Sequence, residues 1–250
     1  MNVSNQDSSI AVLKGKFIVI EGPDRVGKST LINNVYNQLV DSSIPVIKMG
    51  FPDRTSVIGS FIGSILEDDD NKHVNINAMN TLFLAEMINA QSLIEEKLKE
   101  GYVVLCDRYY FSTYMYTIAR CRLYLHPNEE DEATSLVDDL AEYMRIPDIV
   151  CVMIAEPEEL AKREGYGSDN TETLAFQKEV IKSYETNIHF IRKYSNSVFY
   201  MNTRNYETPD LLAQSFVSQS IRQVTNLAKS PLLTRVMRVL ADPKEEIMKL

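Results

Sequence analysis

The segment Gly22-Pro23-Asp24-Arg25-Val26-Gly27-Lys28-Ser29-Thr30 constrains this chain more than any other. It has the form G-x-x-x-x-G-K-[ST] and follows an apolar run, residues 17–20, that ends in Glu21. An amphipathic stretch comes next, with Leu31, Val35 and Leu39 at i, i+4 and i+8. Strand, glycine turn and helix start in that order make a phosphate cradle. Gly22 and Gly27 let the backbone turn tightly and bring N–H groups toward a phosphate chain. The helix opening at Lys28 adds the positive end of its dipole. In this chemistry Lys28 reaches the β- and γ-phosphates and the Ser29 hydroxyl ligates Mg²⁺. The expected ligand is therefore ATP or another nucleoside triphosphate with Mg²⁺, held by Gly22 to Thr30.

Four more apolar, β-branched runs lie at 45–49, 102–106, 149–154 and 197–200. Stretches with helical period separate them, at 78–99 (Leu82, Phe83, Ala90, Ile94, Leu98), 176–194 and 209–227. Strands alternating with helices predict a parallel sheet covered on both faces, a three-layer α/β/α fold. A length of 250 residues suffices for one large core. The expected organisation is a polar leader over 1–13, a nucleotide-binding domain over 14–228 with a lid near 162–173, and an extension over 229–250. Cys106, Cys121 and Cys151 have no C-x-x-C spacing and read as reduced core thiols. No apolar run approaches the ~20 residues needed to span a bilayer. The N-terminal stretch fits neither a secretory signal nor a transit peptide, so the expected location is cytoplasmic, or nuclear by default.

The balance of 26 Lys+Arg against 35 Asp+Glu gives a net charge of −9, which excludes a general nucleic-acid binder. It does not exclude a polyphosphate substrate. Eight of the carboxylates sit in two patches, Glu67-Asp68-Asp69-Asp70 and Glu129-Glu130-Asp131-Glu132, which read as solvated loops. Candidate cations for a phosphate site lie elsewhere: Arg25, Lys28, Arg54, Arg108, Lys162 and Arg163. Arg25, within the loop, is placed to neutralise transition-state charge. Phe51-Pro52-Asp53-Arg54 follows the second strand and Cys106-Asp107-Arg108-Tyr109-Tyr110 ends the third, where ligands of parallel sheets gather. Asp107 there is expected to orient Mg²⁺ and Arg108 to grip an anionic acceptor. Lys162-Arg163-Glu164-Gly165-Tyr166-Gly167-Ser168 has the cations and glycines of a lid that closes over phosphates. A guanine reader N-K-x-D is not completed, because Asn71-Lys72-His73 is followed by Val74.

Together these residues resemble the thymidylate kinases. Glu21 to Thr30 resembles that family's phosphate loop, and Phe51-Pro52-Asp53-Arg54 with Ile58-Gly59 its Phe-Pro-acidic-Arg segment. Leu82-Phe83, Glu95-Glu96-Lys97-Leu98, Asp107-Arg108-Tyr109 with Ser112, Ala161-Lys162-Arg163 and Ala175-Phe176-Gln177 match in order, so the resemblance covers 14–227. It implies a P-loop kinase fold, three-layer α/β/α with a five-stranded parallel sheet, a homodimer, and transfer of the ATP γ-phosphoryl group to a pyrimidine nucleoside monophosphate, dTMP, with Mg²⁺. It also implies roles. Lys28 and Ser29 bind ATP and Mg²⁺, Arg25 is the catalytic loop arginine, and Arg163 belongs to the lid. Asp24 approaches the acceptor's 3′-hydroxyl, Arg54 and Arg108 hold its phosphate, Phe83 stacks on the base, and Phe51 and Ser112 line the acceptor side.

Departures from the family pattern cluster on the acceptor. Met87 stands where an arginine usually bonds the thymine edge, one turn after Phe83. Methionine has no donor to offer. Thr113 follows Ser112 where glycine is usual, and 168–172 lack the usual Arg-Tyr pair. Two alternatives therefore stay open: a kinase for another pyrimidine monophosphate such as dUMP, UMP or CMP, and a nucleotide-binding protein with little kinase activity.

Overall fold

In the computed structural model, residues 15–67, 74–125, 127–163 and 173–224 are described. The leader, most of the expected lid and the C-terminal extension lie outside them. The described elements run β1 (Lys16–Glu21), α1 (Lys28–Asp41), β2 (Val46–Gly50), α2 (Val57–Glu67), α3 (Ile76–Asn89), α4 (Gln91–Lys99), β3 (Val103–Asp107) and α5 (Tyr110–Tyr124). They continue with α6 (Pro127–Ala141), β4 (Ile149–Ile154), α7 (Pro157–Leu160), α8 (Leu174–Thr186), α9 (Ile188–Lys193), β5 (Val198–Asn202) and α10 (Pro209–Val224).

The five strands form one parallel sheet in the order β2-β3-β1-β4-β5. Strand side chains alternate between two buried cores. Phe17, Val19, Val104, Cys106, Val150 and Val152 face the core shared with α3, α4, α5, α6, α8 and α9. Ile18, Ile20, Leu105, Ile149, Cys151 and Met153 face the core shared with α1 and α10. Burial on both faces is why these strands read as unbroken apolar runs. The expected three-layer α/β/α architecture is present. The three cysteines are buried and free.

Three local expectations need correction. Residues 176–194 form not one helix but α8 and α9, which divide at Asn187. The stretch 78–99 divides into α3 and α4 at Ala90. There the Gln91 amide nitrogen donates to the Met87 carbonyl at 2.6 Å, inserting a side chain into the helical ladder. Glu129-Glu130-Asp131-Glu132 is not a loop but the opening of α6. Carboxylates there are stabilised by the N-terminal dipole, and Pro127 at the start is compatible with the helix because its missing N–H is not needed. Local capping fixes other starts: the Asn75 side chain accepts from the amides of Asn77 and Ala78 at the head of α3, worth about 1 kcal/mol.

β1 lies between β3 and β4, so the loop after it opens at the middle of the sheet's carboxyl edge. The loops after β2 and β3 open beside it. Parallel register aligns Gly50 with Asp107 and Asp107 with Ile20. The chain ends bearing Asp24, Arg54 and Arg108 thus emerge on one side.

Candidate active site

The phosphate loop has the backbone its glycines predict. Gly22 and Gly27 take φ of 138° and 103°. A Cβ on Gly22 would sit 2.3 Å from the Met153 carbonyl oxygen, so no other residue fits. Arg25 also has positive φ, 61°, as does Arg108 at 66°. Non-glycine residues held there carry strain, which the surrounding contacts must hold in place. Val26 anchors the loop in the α1-side core. Thr30 is exposed on the first turn of α1.

Lys28 is 6% exposed and its Nζ donates to the carbonyls of Gly22 (3.2 Å) and Pro23 (2.8 Å). Burial, followed by the Arg108 charge, pushes its pKa down to about 8. The Ser29 hydroxyl donates to Asp107 Oδ2 at 3.1 Å, while Asp107 Oδ1 is buried with no hydrogen-bond partner. A hydroxyl and a carboxylate with one uncommitted oxygen are the hard donors that Mg²⁺ takes. Among the described residues no cluster of three or more His, Cys, Asp or Glu offers an alternative metal site.

Arg108 joins the phosphate loop to α5. Its Nη1 donates to the Gly22 carbonyl (3.0 Å) and to Ser112 Oγ (3.1 Å). Its Nη2 pairs with Asp24 and reaches the Tyr116 hydroxyl at 3.2 Å. Tyr116 in turn donates to Asp24 Oδ2 at 2.8 Å, and Gln177 Nε2 does so at 3.0 Å. Burial works against the Asp24 charge, but Arg108, Lys28 and these hydrogen bonds outweigh it and leave the carboxyl below its usual range. Arg163 donates to the Arg25 carbonyl, which ties the base of the lid segment to the phosphate loop.

Two cavities meet here. One, of about 910 Å³, is lined by Asp24, Phe51, Arg54, Phe83, Arg108 and Ser112, with Met87 and Thr113 beside them. The second, of about 1140 Å³, is lined by Arg25, Lys28, Ser29 and Asp107. Both include Asp24, Phe51, Pro52, Arg54 and Arg108. Every expected acceptor-side residue thus lines one cavity, and the phosphate loop opens into its neighbour. Met87 is 2% exposed, a core residue that also borders the cavity. Arg54 pairs with Glu67, the first residue of an acidic patch. Arg204, just after β5, pairs with Glu156 and Glu159.

Sequence reasoning missed several members. Glu21 is fully buried and accepts from the amides of Tyr109 (2.8 Å) and Ser112 (3.3 Å), the Ser112 hydroxyl, and Tyr184 (2.7 Å). Burial pushes its carboxyl above the usual range, while Ser112, Arg108 and Tyr184 oppose the shift. A charge closing an apolar strand was the available signal. Glu86 accepts from the Asp53 amide (2.9 Å) and the Ser56 hydroxyl (2.8 Å), and so holds the loop that carries Phe51 and Arg54. Tyr116 and Tyr184 gave no local signal, and Gln177 was legible only as part of the resemblance, since their carboxylate partners lie 92, 163 and 153 residues away.

Comparison with known proteins agrees with this geometry. The thymidylate kinase family model matches residues 20–209. Thymidylate kinase of Dictyostelium discoideum is 30% identical over 181 residues, 72% of this chain and 76% of that protein. The Danio rerio enzyme is 32% identical over 172 residues, 69% and 76% of the two chains. The human enzyme is 28% identical over 175 residues, 70% and 77%. The solved thymidylate kinase of Candida albicans has the same fold, with a TM-score of 0.67 at 24% identity over 84% of this chain and 92% of that one. A match to the family model from 20 to 209, with a relative 30% identical over 72% of the chain, on a five-stranded parallel sheet that carries the phosphate loop, shows that this chain belongs to the thymidylate kinase family.

Proposed function

We propose a division of labour among this chain's residues for the reaction of its family, transfer of the γ-phosphoryl group of ATP to dTMP, which gives dTDP and ADP. The observation that carries it is the shared wall of the two cavities, where Asp24, Arg54 and Arg108 stand beside the phosphate loop. ATP lies along Gly22 to Thr30, its phosphates on the loop amides and on Lys28, whose ammonium exchanges the Gly22 and Pro23 carbonyls for anionic oxygens. The acceptor's phosphate lies against Arg54 and Arg108, its sugar by Asp24 and Tyr116, and its base against Phe83, with Phe51 and Ser112 completing the wall. Arg163 closes from the lid side.

Catalysis on this reading is positioning and electrostatics. The acceptor phosphate is already anionic, so no general base is required. Arg25 and Lys28 stabilise charge on the γ-phosphoryl group as it moves. Asp107 and the Ser29 hydroxyl would hold Mg²⁺, which when bound would neutralise charge on the triphosphate. Replacing Asp107 with asparagine is expected to raise the Mg²⁺ concentration for half-maximal rate about 10- to 100-fold. Titrating Mg²⁺ at fixed ATP checks this, and an unchanged midpoint refutes the assignment.

ADP release measured across dTMP, dUMP, UMP, CMP and dCMP tests the function. Turnover is expected only with a monophosphate present and fastest with dTMP. Equal turnover of all pyrimidine monophosphates would favour the broader kinase that Met87 motivates. ATP consumption with no acceptor dependence would favour a nucleotide-binding role. A homodimer is part of the same reading, supported by the apolar outer face of α2, where Val57 is 87% exposed and Phe61 is 55% exposed. A cytoplasmic or nuclear site without nucleic-acid partners accords with the charge of −9. Among the described residues no helix is long and apolar enough to cross a membrane.

A further inference from the structure

One guanidinium on the acceptor cavity is left over by the phosphate chemistry. Ser112, Tyr116 and Arg120 stand at i, i+4 and i+8 on α5 and all line this cavity, with Thr117 and Tyr124 alongside. Arg108 and Ser112 mark its phosphate end. Arg120 lies eight residues beyond Ser112, about 12 Å along the helix. That is comparable with the span from a nucleotide's phosphate to the far edge of its base.

Two polar side chains beside it are committed to each other and to the backbone. Thr117 Oγ1 donates to Asn80 Oδ1 at 2.9 Å, and Asn80 Nδ2 reaches the Ala133 carbonyl at 3.4 Å. Ile76, Met79 and Met87 offer no donor. The neighbouring cations are paired, Arg54 with Glu67, Arg108 with Asp24 and Arg122 with Glu130. Arg120 is partly buried, and among the described residues it makes no hydrogen bond or ion pair, not even with Glu129 on the same cavity wall. Burial lowers its pKa, with only Tyr124 and Cys121 opposing, as for a desolvated cation without a carboxylate beside it. A guanidinium carries five N–H donors and no acceptor, and partly burying it without a partner is costly. Its natural complement is a ligand that presents a carbonyl oxygen at the far end of the cavity.

We propose that Arg120 is the base-reading residue of this chain. Its guanidinium donates to the 4-oxo group of thymine or uracil, at the ring edge away from the sugar. Cytosine presents an amino group there, donor against donor, and is rejected. This deepens the acceptor-site reading above and rests on it.

The test compares kcat/KM for dTMP, dUMP and dCMP in the full chain and in Arg120→Met and Arg120→Lys, with melting temperatures for each. Arg120→Met is expected to lower kcat/KM for dTMP and dUMP together by about 10- to 100-fold, the value of one hydrogen bond to a charged group. The rate with dCMP should stay within about twofold. Arg120→Lys keeps the charge and the aliphatic stem, so it should hold the melting temperature while still lowering the dTMP-to-dCMP ratio. An unchanged ratio in both variants, or an equal fall for all three substrates, overturns the inference while leaving the kinase reading intact. If the unaltered chain phosphorylates none of the three, the acceptor-site reading fails and the inference falls with it.

Discussion

Replacing Lys28 with alanine is expected to lower kcat with ATP and dTMP about 10²- to 10³-fold, the scale set by losing one preorganised charged donor. Folding should survive the change. The native environment already disfavours this ammonium, since burial and Arg108 hold its pKa at about 8 against an ordinary 10.5. A base with a lowered folded-state pKa binds fewer protons folded than unfolded between those values. From this group alone, stability therefore rises with pH from about 8 to 10.5, and its penalty is fully present below 8. Removing the side chain removes that penalty, offsetting the two carbonyl hydrogen bonds lost. Calorimetric melting within a few degrees of the parent, beside collapsed turnover, is the expected pair of results. A second readout follows from the same shift. ATP binds the protonated ammonium, so its affinity should fall by up to tenfold per pH unit above about 8. Titration calorimetry between pH 7 and 9.5 measures this, and a flat affinity profile would contradict the placement of Lys28 against the phosphates.

Glu21→Ala is expected to act on stability instead. Four donors converge on this buried carboxyl, from the Tyr109 and Ser112 amides and from the Ser112 and Tyr184 hydroxyls. Alanine leaves the buried Tyr109 amide without that acceptor, leaves the Ser112 and Tyr184 hydroxyls only each other to donate to, at 3.1 Å, and deprives Arg108 of a nearby negative charge. The combined cost is about 3–5 kcal/mol, on the scale of a broken buried charge network. In a chain of this size that corresponds to a loss of roughly 10 °C in melting temperature. Glu21→Gln sharpens the test, because its amide group faces hydroxyls that already donate. It should retain less than half of the lost stability. A glutamine variant as stable as the parent would show that shape, and not acceptor capacity, is what the site needs.

The two predictions mark different degrees of legibility. Lys28 was readable because its partners are local: Gly22 and Pro23 lie within six residues, and the strand, turn and helix around them are coded by adjacent residues. Glu21 was readable as an anomaly but not as a hub, since Tyr184 is 163 positions away. Asp24 shows both sides. Its place in the loop was legible, while its bonds to Arg108, Tyr116 and Gln177 arise only when β3, α5 and α8 come together. The split at Ala90 was hidden because Gln91 is an ordinary helix former, and only its hydrogen bond to the Met87 carbonyl reveals the break. The opening of α6 was legible in retrospect, since Pro127 and the acidic residues after it are what a helix N-terminus favours.

The sequence by itself determined the phosphate loop, the number of strands and the clusters at Arg54 and Arg108. These follow from short-range rules: apolar runs, glycine conformations, and strand ends followed by charged residues. Only the tertiary structure decided the order β2-β3-β1-β4-β5, the pairing of Asp24 with Arg108, and the place of Arg120 on the cavity wall without a carboxylate partner among the described residues. Strand order depends on which crossover covers which face, and local patterns do not encode that. Whether a charge is paired or lines a cavity depends on packing between helices distant in sequence, so nothing in the local pattern singles out Arg120, while the fold sets it on the wall shared with Ser112 and Tyr116.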